Sequence, residues 1–276
     1  YNLALNYLSS IGILVFCDGS FSTKNNCLND ILIAFGKFKI DNFLINLEFP
    51  KNEKDFLGIV YQSLLKEGTK NKKGSYYTPE QIIRSFNDNI QLNTKFLDPC
   101  CGTGSFLLSI SDKIKNPENI YGCDLDEIAV FIAKINLIAK FKNVEFKPNI
   151  YNLDFLQKNE IQQNDFDIIA TNPPWGAMAK NVYSKDFPFI KSKESFSYFI
   201  ANSFNYLKTN GRCFFVLPVS ILNVKVHSDI RKFILENFLV EEIICYGQIF
   251  ESVLSDVVSL KLKKGKGDGL VHIKTS

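Results

Sequence analysis

Asn172-Pro-Pro-Trp175 places an amide, two ring-locked backbone units and a large flat indole within one short stretch of chain. Proline has no N–H to donate, and Pro173 restricts Asn172 to an extended conformation, so the stretch is stiff. Asn172 Oδ1 and the Pro173 carbonyl are then fixed acceptors, Pro174 keeps the turn rigid, and Trp175 offers a stacking face. Together they suit a planar ring that carries an exocyclic amine. Two acceptors take its two N–H bonds, and the indole takes the ring. Taken alone, the tetrapeptide fits equally well a strand that stops at a Pro-Pro turn beside a buried tryptophan.

A second group of residues lies upstream. Phe96-Leu97-Asp98-Pro99-Cys100-Cys101-Gly102-Thr103-Gly104 runs from a short apolar strand into a tight glycine turn and then an apolar helix. Gly102 and Gly104 permit positive φ and close approach of backbone to a ligand. The turn has no Gly-Lys-Ser/Thr of a phosphate loop and lacks the complete dinucleotide fingerprint. A carboxylate at Asp98 would repel phosphate, but it suits a ligand with an ammonium and hydroxyls, such as S-adenosylmethionine (AdoMet). A second short strand ends in Asp124-Leu125-Asp126, roughly 20 residues after the turn, where an acid can meet ribose hydroxyls. A third reading, over 143–149 and on to Asp154-Phe155, ends in an acid and an aromatic that could hold an adenine. Before all of these, Gly74-Ser-Tyr76-Tyr77-Thr78-Pro79 precedes a helix, with Thr78 expected as N-cap and Pro79 as its first residue.

Such side chains converge only if strand ends share one edge. Apolar runs at 96–97, 120–123 and 167–171 alternate with helical periodicity over 55–65, 127–140, 196–207 and 227–237. A strongly apolar strand is expected at 211–222, and an antiparallel pair at 240–246 and 257–262. This alternation predicts an α/β, Rossmann-like fold, a mostly parallel seven-stranded sheet with an antiparallel terminal strand. Ligands of such sheets bind at the carboxyl ends of the strands. Residues 1–65 are read as a helical segment and 66–276 as the catalytic domain.

The 276 residues, 46% of them hydrophobic, suffice for one large domain and a small appendage. The net charge of +3 leaves no global footprint for a polyanion. Nucleic-acid contact must therefore be local, and the Lys66 to Lys73 and Lys180 to Lys193 loops are the candidates. Seven cysteines lie mostly in apolar runs rather than in metal-type pairs, so reduced thiols, a cytoplasmic location and no metal site are expected. No apolar run reaches the length of a membrane span, and no signal peptide or membrane partner is expected. His227 and His272 read as packing or surface residues.

With the motifs assembled, the chain resembles the N6-adenine DNA methyltransferases in which the AdoMet segment precedes the catalytic one. The modification subunits of type I restriction systems and the fused type IIG enzymes belong to that group. The resemblance rests on Gly74 to Pro79, Asp98 to Gly104, Asp124, Asp154-Phe155 and Asn172 to Trp175, and covers roughly residues 60–262. It implies a class I AdoMet-dependent fold, with AdoMet as cofactor and a site-specific transfer of methyl to adenine N6 in a restriction-modification system. By the same resemblance, Asp124 meets the ribose and Asp154 the cofactor's adenine amine. Phe155 flanks that ring, and Tyr77 and Thr78 touch the methionine portion. The implied cofactor set is Tyr76, Tyr77, Thr78, Asp98, Pro99, Cys100, Gly102, Gly104, Asp124, Leu125, Asp154 and Phe155. The catalytic set is Asn172, Pro173, Pro174 and Trp175, and Asn172 belongs to both. Trp175 departs from the tyrosine or phenylalanine usual at its position but still stacks. The target adenine is buried in a duplex and must be flipped out. No target-recognition domain is evident after Leu262, so a specificity subunit or a separate reading domain is an expected partner. Rival readings are transfer to RNA adenine or to a protein glutamine amide, or a non-catalytic DNA-binding subunit.

Overall fold

Leu97, Ile169 and Phe215 alternate along their strands with Phe96, Ile168 and Phe214, and the two sets enter different cores. Neighbours on a strand point to opposite faces, so the sheet is covered on both sides. That is why its strands read as continuous apolar runs. The computed structural model describes residues 1–18, 20–34, 41–45, 47–50, 55–65, 78–86, 90–157, 161, 165–176, 183–250, 255–266 and 271–275.

Helix α1 (Asn2–Ser10) leads into a hairpin of β1 (Val15–Cys17) and β2 (Ser20–Ser22), then α2 (Asn26–Ala34), α3 (Asn42–Ile45) and α4 (Phe56–Leu64). The expected helical lead-in thus also holds a two-stranded sheet. There follow α5 (Glu80–Phe86), β3 (Phe96–Asp98), α6 (Ser105–Ile110), β4 (Ile120–Asp124), α7 (Glu127–Lys140), β5 (Asn149–Asn152) and β6 (Phe166–Thr171). The rest is α8 (Tyr183–Asp186), α9 (Ser195–Tyr206), β7 (Leu207–Pro218), α10 (Ser220–Asn223), α11 (Ser228–Asn237), β8 (Phe238–Gly247), β9 (Val257–Lys264) and β10 (His272–Thr275).

The main sheet has the order β10-β8-β9-β7-β6-β3-β4-β5. All pairs are parallel except those of β9, which runs antiparallel to β7 and β8. From β3 the chain moves outward to β4 and β5, then returns on the other side of β3 as β6. The reversal between β3 and β6 is a topological switch point, where the ends of adjacent strands open a crevice. One core holds Phe86, Phe106, Leu107, Ile135 and, from α1, Ala4, Leu5 and Leu8. The other holds Phe155, Phe196, Phe199, Ile230 and Ile234.

Three sequence expectations shift. The sheet has eight strands, because β10 pairs parallel with β8 through His272 to Thr275. The third strand is β5, not 143–149, since Phe146 turns inward against Phe141 at 5.8 Å instead of extending a strand. The strand expected at 211–222 is β7, which starts earlier and ends at Pro218, after which Ser220–Asn223 coils into α10. Among the described residues no helix is long and apolar enough to cross a membrane.

Candidate active site

The site begins at the carboxyl end of β3. Asp98 is 1% exposed, yet its Oδ1 accepts from Thr171 Oγ1 at 2.7 Å and from the Cys100 amide at 3.1 Å. Burial pushes its carboxyl up to about 7, opposed by those two hydrogen bonds and reinforced by the charge of Asp124. Cys100 Sγ lies 3.1 Å from Thr171 Oγ1 and donates to the Asn172 carbonyl at 3.2 Å. Asp98, Cys100 and Thr171 therefore join the glycine turn to the start of the Asn172 motif.

The turn itself is held against β4. The Cys101 amide donates to the Cys123 carbonyl at 2.9 Å, and Cys123 Sγ donates to the Pro99 carbonyl at 3.4 Å. Gly102 has φ +53°, and a Cβ built on it would meet nothing within 4 Å, so this backbone faces open space. Gly104, at φ +99°, precedes α6, and a Cβ there would sit 3.5 Å from Ala133. Both residues adopt the left-handed region that favours glycine. Asp124 Oδ2 accepts from the Gly102 amide at 2.8 Å, and its Oδ1 from the Asp126 amide at 2.9 Å. Burial raises the Asp124 carboxyl as well, against the pull of those amides. Leu125, next in the chain, is 67% exposed.

Asp154 follows β5. Its Oδ1 accepts from the Leu156 amide at 3.1 Å, and its Oδ2 from Gln157 Nε2 at 2.8 Å and from the Tyr183 hydroxyl. Burial and this carboxylate raise the Tyr183 phenol. Phe155 departs from expectation. It is 1% exposed, stacked on Phe199 at 5.7 Å and packed on Tyr206 at 4.9 Å. An apolar ring beside α9 gains more from full burial than from a place at the open edge. As placed, Phe155 is a core side chain, and Leu125 is the apolar group left at the rim.

At the end of β6, Asn172 Nδ2 donates to Thr78 Oγ1 at 3.3 Å. Thr78 was expected to cap a helix; instead Pro79 supplies the carbonyl that accepts from the Ile82 and Ile83 amides, and the Thr78 hydroxyl reaches Asn172. The amide nitrogen is thereby engaged, which leaves Oδ1 as the acceptor end. Pro173 is buried and Pro174 half-buried. Trp175 Nε1 donates to the Val216 carbonyl at 3.1 Å, and its ring meets Phe250 edge-on at 5.3 Å and 88°. The Gly176 amide donates to the Glu194 carboxylate, whose acid burial raises.

Tyr76 and Tyr77, the Lys66 to Lys73 loop and Lys180 lie outside the described residues. Lys191 and Lys193 are exposed. His227 is buried against Phe196 at 5.1 Å, and His272 lies on the exposed strand β10. Thr171, Thr103, Tyr183 and Glu194 were not singled out from the sequence. Their partners lie 29 to 73 residues away in the chain for the first and third, and no local spacing marks them.

Asp98 gives a prediction about pH. Its folded-state value lies above that of an unfolded aspartate, so the folded protein holds this proton more tightly. The resulting penalty is absent below about pH 4, grows through the interval, and is complete above about pH 7. Stability is therefore expected to fall by on the order of a few kcal/mol from this carboxyl as pH rises from 4 to 7. Thermal unfolding of the wild type and of Asp98→Asn across that range tests it. A slope that survives unchanged in Asp98→Asn would assign the dependence to other groups.

The assembled strand ends now have known counterparts. The sequence matches the N-6 DNA methylase family over residues 52–274. The chain belongs to the N-6 DNA methylase family. The match begins ahead of α4, so that helix lies within the region shared by the family. Among curated relatives, the Type II methyltransferase M.VspI of Vibrio sp. (strain 343) is 33% identical over 218 residues, covering 75% of this chain and 52% of that protein. The methylase subunit of the type I restriction enzyme EcoEI of Escherichia coli is 25% identical over 217 residues, covering 72% and 44%. A crystal structure of the type I restriction-modification system methyltransferase subunit of Streptococcus thermophilus superposes with a TM-score of 0.64 at 24% identity, covering 84% of this chain and 54% of that one. The chain spans about half the length of the curated relatives it matches. The architecture is α/β with a mostly parallel sheet, a fold shared with a Listeria monocytogenes protein assigned to the class I S-adenosylmethionine-dependent methyltransferases, which superposes with a TM-score of 0.64 at 20% identity, covering 84% of this chain and 76% of that one.

Proposed function

We propose that this chain carries the catalytic site of an AdoMet-dependent DNA methyltransferase that modifies the N6 amine of adenine within a restriction-modification system. The observation that carries the reading is the Asn172 amide: its nitrogen is engaged by Thr78, and Cys100 ties its backbone to the glycine turn. An amine acceptor and a cofactor-type turn thus meet at the switch point.

The residues fit AdoMet. Asp98 is a buried carboxylate suited to an ammonium, the Gly102 backbone faces open space, and exposed Leu125 follows Asp124. In this reading Asp98 holds the methionine amine, with Pro99, Cys100, Gly102 and Gly104 shaping the turn beneath it. Thr78 touches the methionine portion at the same end, and the family resemblance assigns Tyr76 and Tyr77 to the cofactor as well. Asp124 takes the ribose hydroxyls, Asp154 the adenine amine, and Leu125 one face of the adenine. When bound, AdoMet supplies a sulfonium methyl already activated toward a nucleophile.

The lone pair of the adenine exocyclic amine is delocalised into its ring, which makes it a poor nucleophile. Asn172 Oδ1 and the Pro173 carbonyl accept its two N–H bonds and favour a pyramidal nitrogen. Developing positive charge then lies beside two fixed dipoles. Trp175, fixed by Val216 and Phe250, stacks on the flipped base, and Pro174 keeps the turn rigid. Placement of the nitrogen in line with the methyl contributes much of the remaining acceleration. No strong base is required of the chain. Sequence reading needs side chains at neighbouring base edges, and we assign that role to a specificity subunit or a separate recognition domain. Lys191 and Lys193 are candidate phosphate contacts.

The test is methyl transfer from labelled AdoMet to pools of duplex DNA, RNA and protein, with the chain in its full assembly. Label in DNA adenine is expected. Label confined to RNA or to protein would replace the substrate, and none in any pool, despite AdoMet binding, would make the chain a binding subunit.

A further inference from the structure

We infer that helix α4 is a positioning element of the cofactor site, acting through Asp55 and Tyr61. The inference rests on the AdoMet reading given above. Asp55 caps α4, accepting from the Gly58 amide at 3.1 Å. It is 3% exposed, and its carboxylate also makes bonds that leave the helix. Thr103 Oγ1, in the glycine turn, donates to Oδ2 at 3.0 Å, and Asn136 Nδ2, on α7, donates to Oδ1 at 2.7 Å. Asn136 Nδ2 also reaches the Thr103 carbonyl at 3.0 Å. Position 58 is glycine because a side chain there would collide with the Asp55 carboxylate.

Six residues on, about 9 Å along a helix, Tyr61 makes the second anchor. Its hydroxyl donates to Asp126 Oδ2 at 2.7 Å. Asp126 Oδ1 caps α7, accepting from the Ile128 and Ala129 amides. The Asp126 amide donates to Asp124 Oδ1, whose other oxygen accepts from the Gly102 amide. A closed circuit results. It runs from Asp55 to Thr103 and Gly102, across Asp124 to Asp126, and back through Tyr61 to α4. The two anchors bracket the Gly102–Asp124 hydrogen bond, which sets the glycine turn against the ribose-side acid.

Docking α4 by packing alone would need only apolar contacts. A buried carboxylate is favourable only when its hydrogen bonds are met. Here they are met by Gly58 on α4, by Asn136 on α7 and by Thr103, the turn residue between Gly102 and Gly104. Fixing the turn before the cofactor arrives lowers the ordering cost of binding. Neither Asp55 nor Tyr61 is placed against substrate or cofactor, so the effect falls on affinity rather than on the chemical step.

The experiment uses Tyr61→Phe, Thr103→Val and Thr103→Ser. AdoMet affinity is measured by calorimetry, turnover at saturating AdoMet, and amide hydrogen exchange of the ligand-free protein. Tyr61→Phe and Thr103→Val are expected to weaken binding about three- to tenfold, the scale of one lost hydrogen bond. Both are expected to speed exchange at Gly102 and Asp126. Tyr61→Phe is expected to leave turnover at saturation unchanged, and Thr103→Ser to restore affinity and protection. If melting temperature falls while affinity and exchange stay at wild-type values, α4 merely packs and the inference is overturned. If the wild type binds no AdoMet, the functional reading fails on its own. The exchange rates at Gly102 and Asp126 then still decide whether α4 holds the turn, unchanged rates overturning it.

Discussion

Asn172→Ala is expected to abolish methyl transfer while leaving AdoMet affinity close to wild type. Removing one preorganised polar group at the reacting centre typically slows an enzyme about 100- to 1000-fold. Here the loss also removes the partner of Thr78 and leaves the Pro173 carbonyl as a single acceptor for an amine that needs two. The hydrogen bonds of Asp98 lead through Cys100 and Thr171 to the Asn172 backbone, not to its side chain, and those of Asp124 to Gly102 and Asp126 and of Asp154 to Leu156, Gln157 and Tyr183 do not involve Asn172. Single-turnover rates at saturating AdoMet, with calorimetry on the same samples, separate the two effects. A rate within a few-fold of wild type would dismiss the amine clamp. An equal loss of affinity would move Asn172 to the cofactor.

Asp124→Ala should weaken AdoMet binding by about 1–3 kcal/mol, roughly five- to 150-fold. Two losses combine. The ribose loses its charged acceptor, and the Gly102 and Asp126 amides lose theirs, so the turn loosens where Gly102 faces open space. Asp124→Asn retains an acceptor oxygen and should fall between alanine and wild type. Calorimetry decides the matter: wild-type affinity in a folded Asp124→Ala protein takes Asp124 out of the site.

Most of this layout was legible because it is local. Asp98, Asp124 and Asn172 each close or follow a short apolar run, and a continuous apolar run cut off by a polar break marks a doubly covered strand end without any knowledge of neighbours. Helices α4, α7, α9 and α11 were legible for the same reason, their apolar spacing being set within the segment. What stayed hidden depends on contacts across the chain. Asp55 meets Asn136 81 residues away, and Thr78 meets Asn172 94 residues away. Phe155 could be placed only by knowing that α9 brings Phe199 to it. β10 is exposed at all four residues, so it carries no alternation to read.

Trp175 is the only tryptophan in the chain. Its indole is fixed by the Val216 carbonyl and by Phe250, and it packs against both cores. Excitation at the red edge of its absorption, beyond the reach of the tyrosines, therefore reads a single optical centre at the end of β6. Under the proposed function, a flipped base stacked on the ring is expected to quench that emission. Unfolding of either face of the sheet will move it to longer wavelength. The protein thus carries an intrinsic reporter in which occupancy of the base pocket and integrity of both cores appear as separate changes, in intensity and in colour.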